Sequence, residues 1–343
     1  MKYDDKLLNP KYFQEPLKLK GFSNKTLNEF LEKMTIIRLI ENKIALEKKK
    51  NVIKGPVHLG VGQEAPPVGV TDGLKKGDKV FGAHRSHGHL LALNPDAKKL
   101  FSEILGKKTG FCGGNGGSMH LWDGKFGFYG SVPIVAGTVP LAVGAALASK
   151  IKKNKTVSIA YLGDGAMEEG VVHESLNLAK VQKLPVIFVV ENNLFASHMD
   201  ISLRQTNQFT SRFAVANKIQ NCVIDGNDVV SISKECKKLI DSARYNNEPG
   251  FIEMITYRWF GHVDWREDID VGLKRSKIDL ENWKRRDPIL RLKKAMIDNK
   301  IISDTDYDNL LEKITNEIDK SWDFAINSAY PSKNDLIKNV YSS

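Results

Sequence analysis

Asp164 stands between Gly163 and Gly165 at the end of an apolar run, and Asn193 follows Glu191-Asn192 at the end of another. A carboxylate and an amide oxygen are hard donors of the kind Mg2+ accepts, and Mg2+ prefers to keep phosphate oxygens in its shell. The glycines let backbone approach a phosphate closely, and a helix N-terminus after them attracts negative charge. A second cluster is His84-Arg85-Ser86-His87-Gly88-His89, three histidines and an arginine in six residues. The Arg85 guanidinium suits a bidentate phosphate contact. His84, His87 and His89 offer metal nitrogens, but no carboxylate or cysteine accompanies them at a usual zinc spacing. His262 ends the run Phe260-Gly261-His262 after a third apolar stretch, and His58 precedes a glycine-punctuated loop.

These groups need elements to hold them. Residues 157–162, interrupted only by Ser158, and 186–190 are apolar runs separated by a helix-length segment. The order is strand, loop, helix, strand, with a polar residue closing each strand. In a parallel α/β sheet both closing residues open onto one edge, where ligands bind. Leu31, Met34, Ile37, Ile40 and Ile44 recur at helical spacing and predict one long amphipathic helix over 28–50. Further helices are expected at 63–76, 96–105, 139–149 and 229–244. The 139–149 helix, rich in Ala and Gly, reads as tightly packed and buried, and Gly226-Asn227-Asp228 caps the 229–244 helix. Short strands are expected at 80–83 and 223–225, a stronger one at 251–259, and two or three amphipathic helices over 279–329. Residues 1–25 read as a loosely ordered arm and 194–210 as a polar loop. Residues 106–130 hold nine glycines, too many for regular structure, so this long loop is expected to be disordered or functional. Residues 263–277 are charged and irregular, a mobile loop by expectation. Gly60-Val61-Gly62-Gln63-Glu64-Ala65 matches a dinucleotide fingerprint by letter, but no clear strand precedes it and Pro66-Pro67 follow.

Composition bounds the function. The chain has 343 residues, 41% hydrophobic, with Lys+Arg 51 against Asp+Glu 41 for a net charge of +10. That supports a core of one large α/β domain without a linker or repeat. The basic residues are scattered rather than striped with aromatics, which argues against nucleic acid. Cys112, Cys222 and Cys236 form no CxxC, so neither a disulfide framework nor a zinc site is expected. No apolar stretch has signal or membrane length, which predicts a cytoplasmic protein.

Gly163-Asp164-Gly165, 26 intervening residues and then Asn192-Asn193 resembles the thiamine diphosphate motif. VHLGVGQEA at 57–65, HRSHG at 84–88, GGNGGSMH at 113–120, PIVAGTVPLAVG at 133–144 and YRWFGH at 257–262 follow in the order of one branch. The chain resembles, from about residue 28 to 325, the α subunit of the thiamine-dependent decarboxylating component of 2-oxoacid dehydrogenase complexes. Pyruvate, branched-chain 2-oxoacid and acetoin dehydrogenases share that component. The resemblance implies an α/β thiamine-diphosphate-binding fold, a mostly parallel sheet flanked by helices, with helical N- and C-terminal extensions. The expected divisions are an arm at 1–27, one domain at 28–330 and a tail at 331–343.

The resemblance also implies roles. Asp164 and Asn193 would hold Mg2+ through side chains and Phe195 through its carbonyl. Gly163, Gly165 and Ala166 would approach the diphosphate, the last two donating backbone N–H groups. Arg85 and Arg258 would bind its oxygens, and His84 stands where pyruvate-type members have a tyrosine touching it. Val135 would support the bent cofactor, with Pro133 nearby. His262 and His58 match active-site histidines, and imidazole can exchange protons near working pH. The cofactor carries the bond-breaking chemistry on a 2-oxoacid, and the acyl group would pass to a lipoyl-bearing acyltransferase. The glutamate that protonates the aminopyrimidine belongs to a separate β subunit in this branch, so an α2β2 assembly is implied, inactive as the lone chain. Val263 stands where mitochondrial relatives carry a phosphorylated serine, and the loop continues Asp264-Trp265-Arg266-Glu267-Asp268, unlike theirs. A pyruvate-like substrate is the first expectation and acetoin the nearest rival. A sugar or amino-acid precursor of a biosynthetic pathway, such as surface-polysaccharide synthesis, is a third reading and a silent scaffold subunit a fourth.

Overall fold

Along 158–163 every residue but the last is buried, and successive side chains enter opposite cores: Ile159 and Tyr161 one, Ala160 and Leu162 the other. The same alternation recurs in 186–192, with Ile187 and Val189 opposite Phe188 and Val190, and in 250–255. Strands apolar on both faces require cover on both faces, the hallmark of a parallel sheet between helical layers.

The structure, a computed structural model, describes residues 4–269 and 275–336. Its first elements are α1 (Asn24–Lys49), α2 (Ala65–Thr71), β1 (Lys79–Phe81), α3 (His87–Leu93), α4 (Ala97–Ile104) and β2 (Phe128–Gly130). The middle of the chain forms α5 (Val139–Lys152), β3 (Ser158–Gly163), α6 (Gly170–Val181), β4 (Val186–Asn192), β5 (Phe195–Ala196), β6 (Met199–Asp200) and α7 (Arg212–Ala216). Then come β7 (Gln220–Asp225), α8 (Val229–Asn246), β8 (Gly250–Ile255), α9 (Lys277–Arg285), α10 (Pro288–Asp298) and α11 (Asp304–Asn327). Six strands pair in parallel in the order β2-β1-β3-β4-β8-β7. One face packs on α1, α2, α8, α10 and α11 through residues such as Ile37, Val68, Ile232, Leu292 and Ile318. The other packs on α5 and α6 through Val139, Val143, Ala146, Val172 and Leu176. Registers Gly163↔Glu191 and Asn192↔Ile255 bring the C-terminal ends of β3, β4 and β8 to one edge. No helix among the described residues is long and apolar enough to cross a membrane.

Several expectations shift. The helix expected over 63–76 stops at Thr71, because Lys75 N instead donates to Asp78 Oδ2 in a turn. The strand expected to 259 ends at Ile255, level with the end of its partner β7 at Asp225. The α5 helix is buried on one side only: Leu141 is 57% and Ile151 71% exposed, with Gly144 and Ala148 exposed on the same stripe. The N-terminal arm is pinned rather than loose. Leu7 and Leu17 are buried, Arg286 Nη1 donates to Leu7 O at 2.9 Å, and Arg291 Nε donates to Glu15 O at 2.9 Å. The glycine-rich loop is ordered by one carboxylate. Glu103, fully buried at the end of α4, accepts from the backbone N–H of Cys112, Gly114, Gly116 and Gly117. Such convergence needs residues without side chains, and a Cβ on Gly116 would lie 2.0 Å from His120 O. The arm at 1–27, the loop at 263–277 and the tail at 331–343 each include residues (1–3, 270–274 and 337–343) outside the described ones.

Candidate functional site

At the C-terminal edge of the sheet, a cavity of about 370 Å³ opens between the ends of β1, β3 and the segment after β4. Its lining includes His84, Arg85, Val135, Gly163, Asp164, Gly165, Ala166, Phe195 and His262. Ligand cavities of roughly 300–1,000 Å³ at such a sheet edge are common. His58, Pro133, Asn193 and Arg258 are not part of that lining. His58 stands behind it, its ring 4.9 Å from His84 and 5.1 Å from His262. Pro133 is exposed beside Ile134 and Val135 at the rim. Asn193 is buried, and its Oδ1 accepts from Phe195 N at 3.2 Å. Asn192, its neighbour in the motif, is structural: its amide donates to Glu253 Oε1 and Gln208 O.

Asp164 is the best-placed acid. It is 1% exposed at the tip of β3, where burial pushes its carboxyl above the ordinary range while Arg204 pulls the other way. The segment after it is a 3₁₀ turn, Gly165–Glu168, before α6 begins at Gly170. The amides of Gly165 and Ala166 open that turn, so no carbonyl within it accepts from them. A Cβ on Gly163 would meet nothing within 4 Å, whereas one on Gly165 would strike Ala196 Cβ at 2.7 Å. The cradle is therefore open at one glycine and closed tight behind the other.

Two guanidiniums, Arg85 in the lining and Arg258 outside it, have no carboxylate at ion-pair distance among the described residues. Arg258 is 1% exposed, and its Nη1 and Nη2 donate to the carbonyls of Phe260 and Ser197. Arg85 Nη1 donates to Leu59 O at 2.7 Å and Nη2 to His262 O at 3.3 Å. Burial lowers Arg258 well below its usual range, with Arg85 adding to it, and burial lowers Arg85 to about 10. Buried cations without counter-charge are costly.

His58, His84 and His262 bring their ligand nitrogens within 4.8 Å of one another. His58 Nδ1 and His84 Nε2 are buried without a hydrogen-bond partner. Burial first, and Arg85 next, lower His58 to about 3, His84 to about 2 and His262 to about 4. All three are neutral at pH 7. Free histidines protonate near 6.5, so between that value and the folded ones only the unfolded chain takes up protons. Stability from this cluster is complete above about 6.5 and is lost as pH falls below it. Thermal melts of the cofactor-free chain should therefore drop from about pH 7 to pH 5, and His84→Gln should flatten the decline. An identical slope in the variant would refute the assignment.

His87 and His89 do not join them. Helix α3 starts at His87, which turns both rings into the core. His87 contacts Glu41 and Ser118, and His89 contacts Glu191 while stacking on Tyr161 at 3.8 Å.

Sequence reading missed three site residues. Arg204 bonds both Asp164 and Glu168, and Glu168 itself lines the cavity. Asp268 Oδ2 accepts from His262 N at 2.8 Å and contacts His198 Nε2 at 3.1 Å, fixing the loop that carries His262. Its carboxylate occupies the space a Cβ on Gly261 would need. No neighbour in sequence marks Arg204, because its acids lie 36 and 40 positions away.

The family model described as dehydrogenase E1 component matches residues 32–334. The α subunit of acetoin:2,6-dichlorophenolindophenol oxidoreductase from Bacillus subtilis (strain 168) is 35% identical over 316 residues, 91% of this chain and 92% of that one. The α subunit of the pyruvate dehydrogenase E1 component from Rhizobium meliloti (strain 1021) is 32% identical over 330 residues, 94% of each. The corresponding subunit from Zymomonas mobilis is 34% identical over 318 residues, 92% of this chain and 88% of that one.

Proposed function

The chain belongs to the dehydrogenase E1 component family, and on that premise we propose that it is the α subunit of a thiamine-diphosphate- and Mg2+-dependent 2-oxoacid dehydrogenase that works with a separate β subunit. The observation that carries the cofactor is the pair of buried, carboxylate-free guanidiniums, Arg85 and Arg258, beside the buried acid Asp164. That donor set fits a diphosphate bound through a divalent cation. Asp164, Asn193 and the Phe195 carbonyl would hold the cation, and the amides of Gly165 and Ala166 would meet the phosphate oxygens. Held by these residues, thiamine diphosphate would supply a nucleophilic carbon and an electron sink for decarboxylation of a 2-oxoacid.

The chain's own residues do the rest. The arginines neutralise the anion. Val135, 49% exposed at the rim, gives the cofactor body an apolar rest, with Pro133 beside it. His262 and His58, neutral when the cavity holds no anion, gain proton affinity once the arginines are neutralised. They then exchange protons with the reacting oxygen. His84 lines the cavity as a third imidazole, 4.9 Å from His58 and 5.6 Å from His262.

Exposed apolar surface supports a protein partner. Leu141, Gly144, Ala148 and Ile151 form one stripe of α5, small in its middle, and Leu178 and Val181 stand exposed on the adjacent α6. Ile134 at the cavity rim is 73% exposed. A second subunit covering this side would bury them and close the site, in an α2β2 arrangement in the cytoplasm. The acyl acceptor is a lipoyl-bearing acyltransferase, and the substrate is pyruvate-like. Acetoin is the second reading, favoured by the Bacillus relative. The test is reconstitution. The lone chain with thiamine diphosphate, Mg2+ and pyruvate should release no CO2, and co-expression with a β-type partner should restore release. Robust turnover by the lone chain would sink the two-subunit reading, and turnover of acetoin alone would replace pyruvate.

A further inference from the structure

Arg204 lies forty positions from Asp164 in the chain, at the end of a short path that turns back on the cavity. After β4 the backbone makes the β5–β6 hairpin, with Leu194 and Ser197 both at positive φ. Asp200 then accepts from Ser202 N at 2.8 Å and starts a 3₁₀ turn, Ile201–Leu203. Arg204 leaves that turn pointing inward, its side chain 7% exposed. Nη2 donates to Asp164 Oδ2, Nη1 donates to Glu168 Oε1, and Nε donates to Met199 O at 3.3 Å. Gln205 Nε2 also donates to Glu168 Oε1, at 2.8 Å.

A guanidinium cannot deprotonate to make room for another cation. A divalent ion on Asp164 would stand within a few ångströms of Nη2, in a buried place where like charges repel strongly. The two cations are alternatives. The second acid offers a way out: Glu168 is 37% exposed, so Nη1 can keep that partner while Nη2 lets go.

We propose that Arg204 is a displaceable internal counter-ion of the cofactor site. It neutralises Asp164 while no divalent ion is bound and withdraws onto Glu168 when one arrives, carrying residues 197–205 with it. This rests on the reading of Asp164 as a metal ligand. Metal binding to the chain is thereby made weaker than the donor set alone would allow.

The probe is Mn2+ without diphosphate, titrated into the full-length chain by calorimetry or electron paramagnetic resonance. Arg204→Gln should bind Mn2+ at least tenfold more tightly than wild type. Arg204→Lys, which keeps the charge, should stay within a few-fold of wild type. Equal or weaker Mn2+ binding by Arg204→Gln overturns the proposal. Hydrogen exchange on the wild-type chain gives a measure that no variant's folding can spoil. Residues 197–205 should exchange faster with Mn2+ than without, and unchanged exchange at saturating Mn2+ also overturns it. Failure of the wild-type chain to bind Mn2+ even with thiamine diphosphate would instead overturn the metal-ligand reading, and this proposal with it.

Discussion

Arg258→Met is expected to leave the cofactor-free chain as stable as wild type, or more stable, while abolishing retention of thiamine diphosphate. The two effects have opposite signs because Arg258 is buried without a carboxylate partner. Taking a guanidinium out of water costs several kcal/mol, and two carbonyls return only part of it. Replacing such a charge with an apolar chain of similar length relieves that cost, by roughly 1–3 kcal/mol. On the proposed reading, the loss on the functional side would be two charge-assisted bonds to an anion in a buried site. At about 1.5–3 kcal/mol each, their absence should weaken binding by roughly a hundredfold to twenty-thousandfold. A structural arginine would behave otherwise, losing stability and leaving cofactor affinity in proportion. Urea or thermal denaturation of the free chain and calorimetric titration with thiamine diphosphate plus Mg2+ check both arms. A variant that unfolds easily yet binds normally would return Arg258 to the scaffold.

Asp164→Asn should be nearly as severe, for a different reason. The amide keeps the shape and one oxygen but removes the charge that draws a divalent ion into a cavity flanked by Arg85, Arg204 and Arg258. Without that charge three cations repel the incoming fourth. Loss of one buried charge partner is worth about 3–5 kcal/mol, so affinity for cofactor plus Mg2+ should fall by roughly three orders of magnitude. The fold should survive, because Arg204 retains Glu168 as its partner. Near-normal cofactor affinity in this variant would remove Asp164 from the metal site.

Sheet and motif were legible in the sequence because they are local. The runs at 157–162 and 186–190 are apolar at all but one position, Ser158, and a strand covered on both faces needs such a run. Asp164 and Asn193 follow them immediately, so strand ends and donors were read together. Other features depend on partners distant in sequence. His84, His87 and His89 look alike as letters, and only the start of α3 at His87 separates one site residue from two core residues. The glycine-rich loop looked irregular because its organiser, Glu103, lies outside it on α4. The α5 helix looked fully buried because alanine and glycine suit a protein core and a subunit contact equally. Arg204 gave no local signal, since its partners lie some forty residues upstream.

The sheet order has a consequence for how the site comes into being on the ribosome. β8 is the last strand synthesised, yet it lies between β4 and β7. Until it emerges, β4, buried along its whole length in the finished chain, has an unpaired apolar edge of the kind that invites aggregation. Arg258 and His262 come just behind β8, so the ligand-holding edge is completed only after about three quarters of the chain has been made. Until then the edge lacks two of the residues proposed to meet the cofactor and substrate. A nascent chain stalled before residue 250 would have Asp164 and Asn193 but neither Arg258 nor His262, and its exposed β4 edge would be a target for chaperones or proteases.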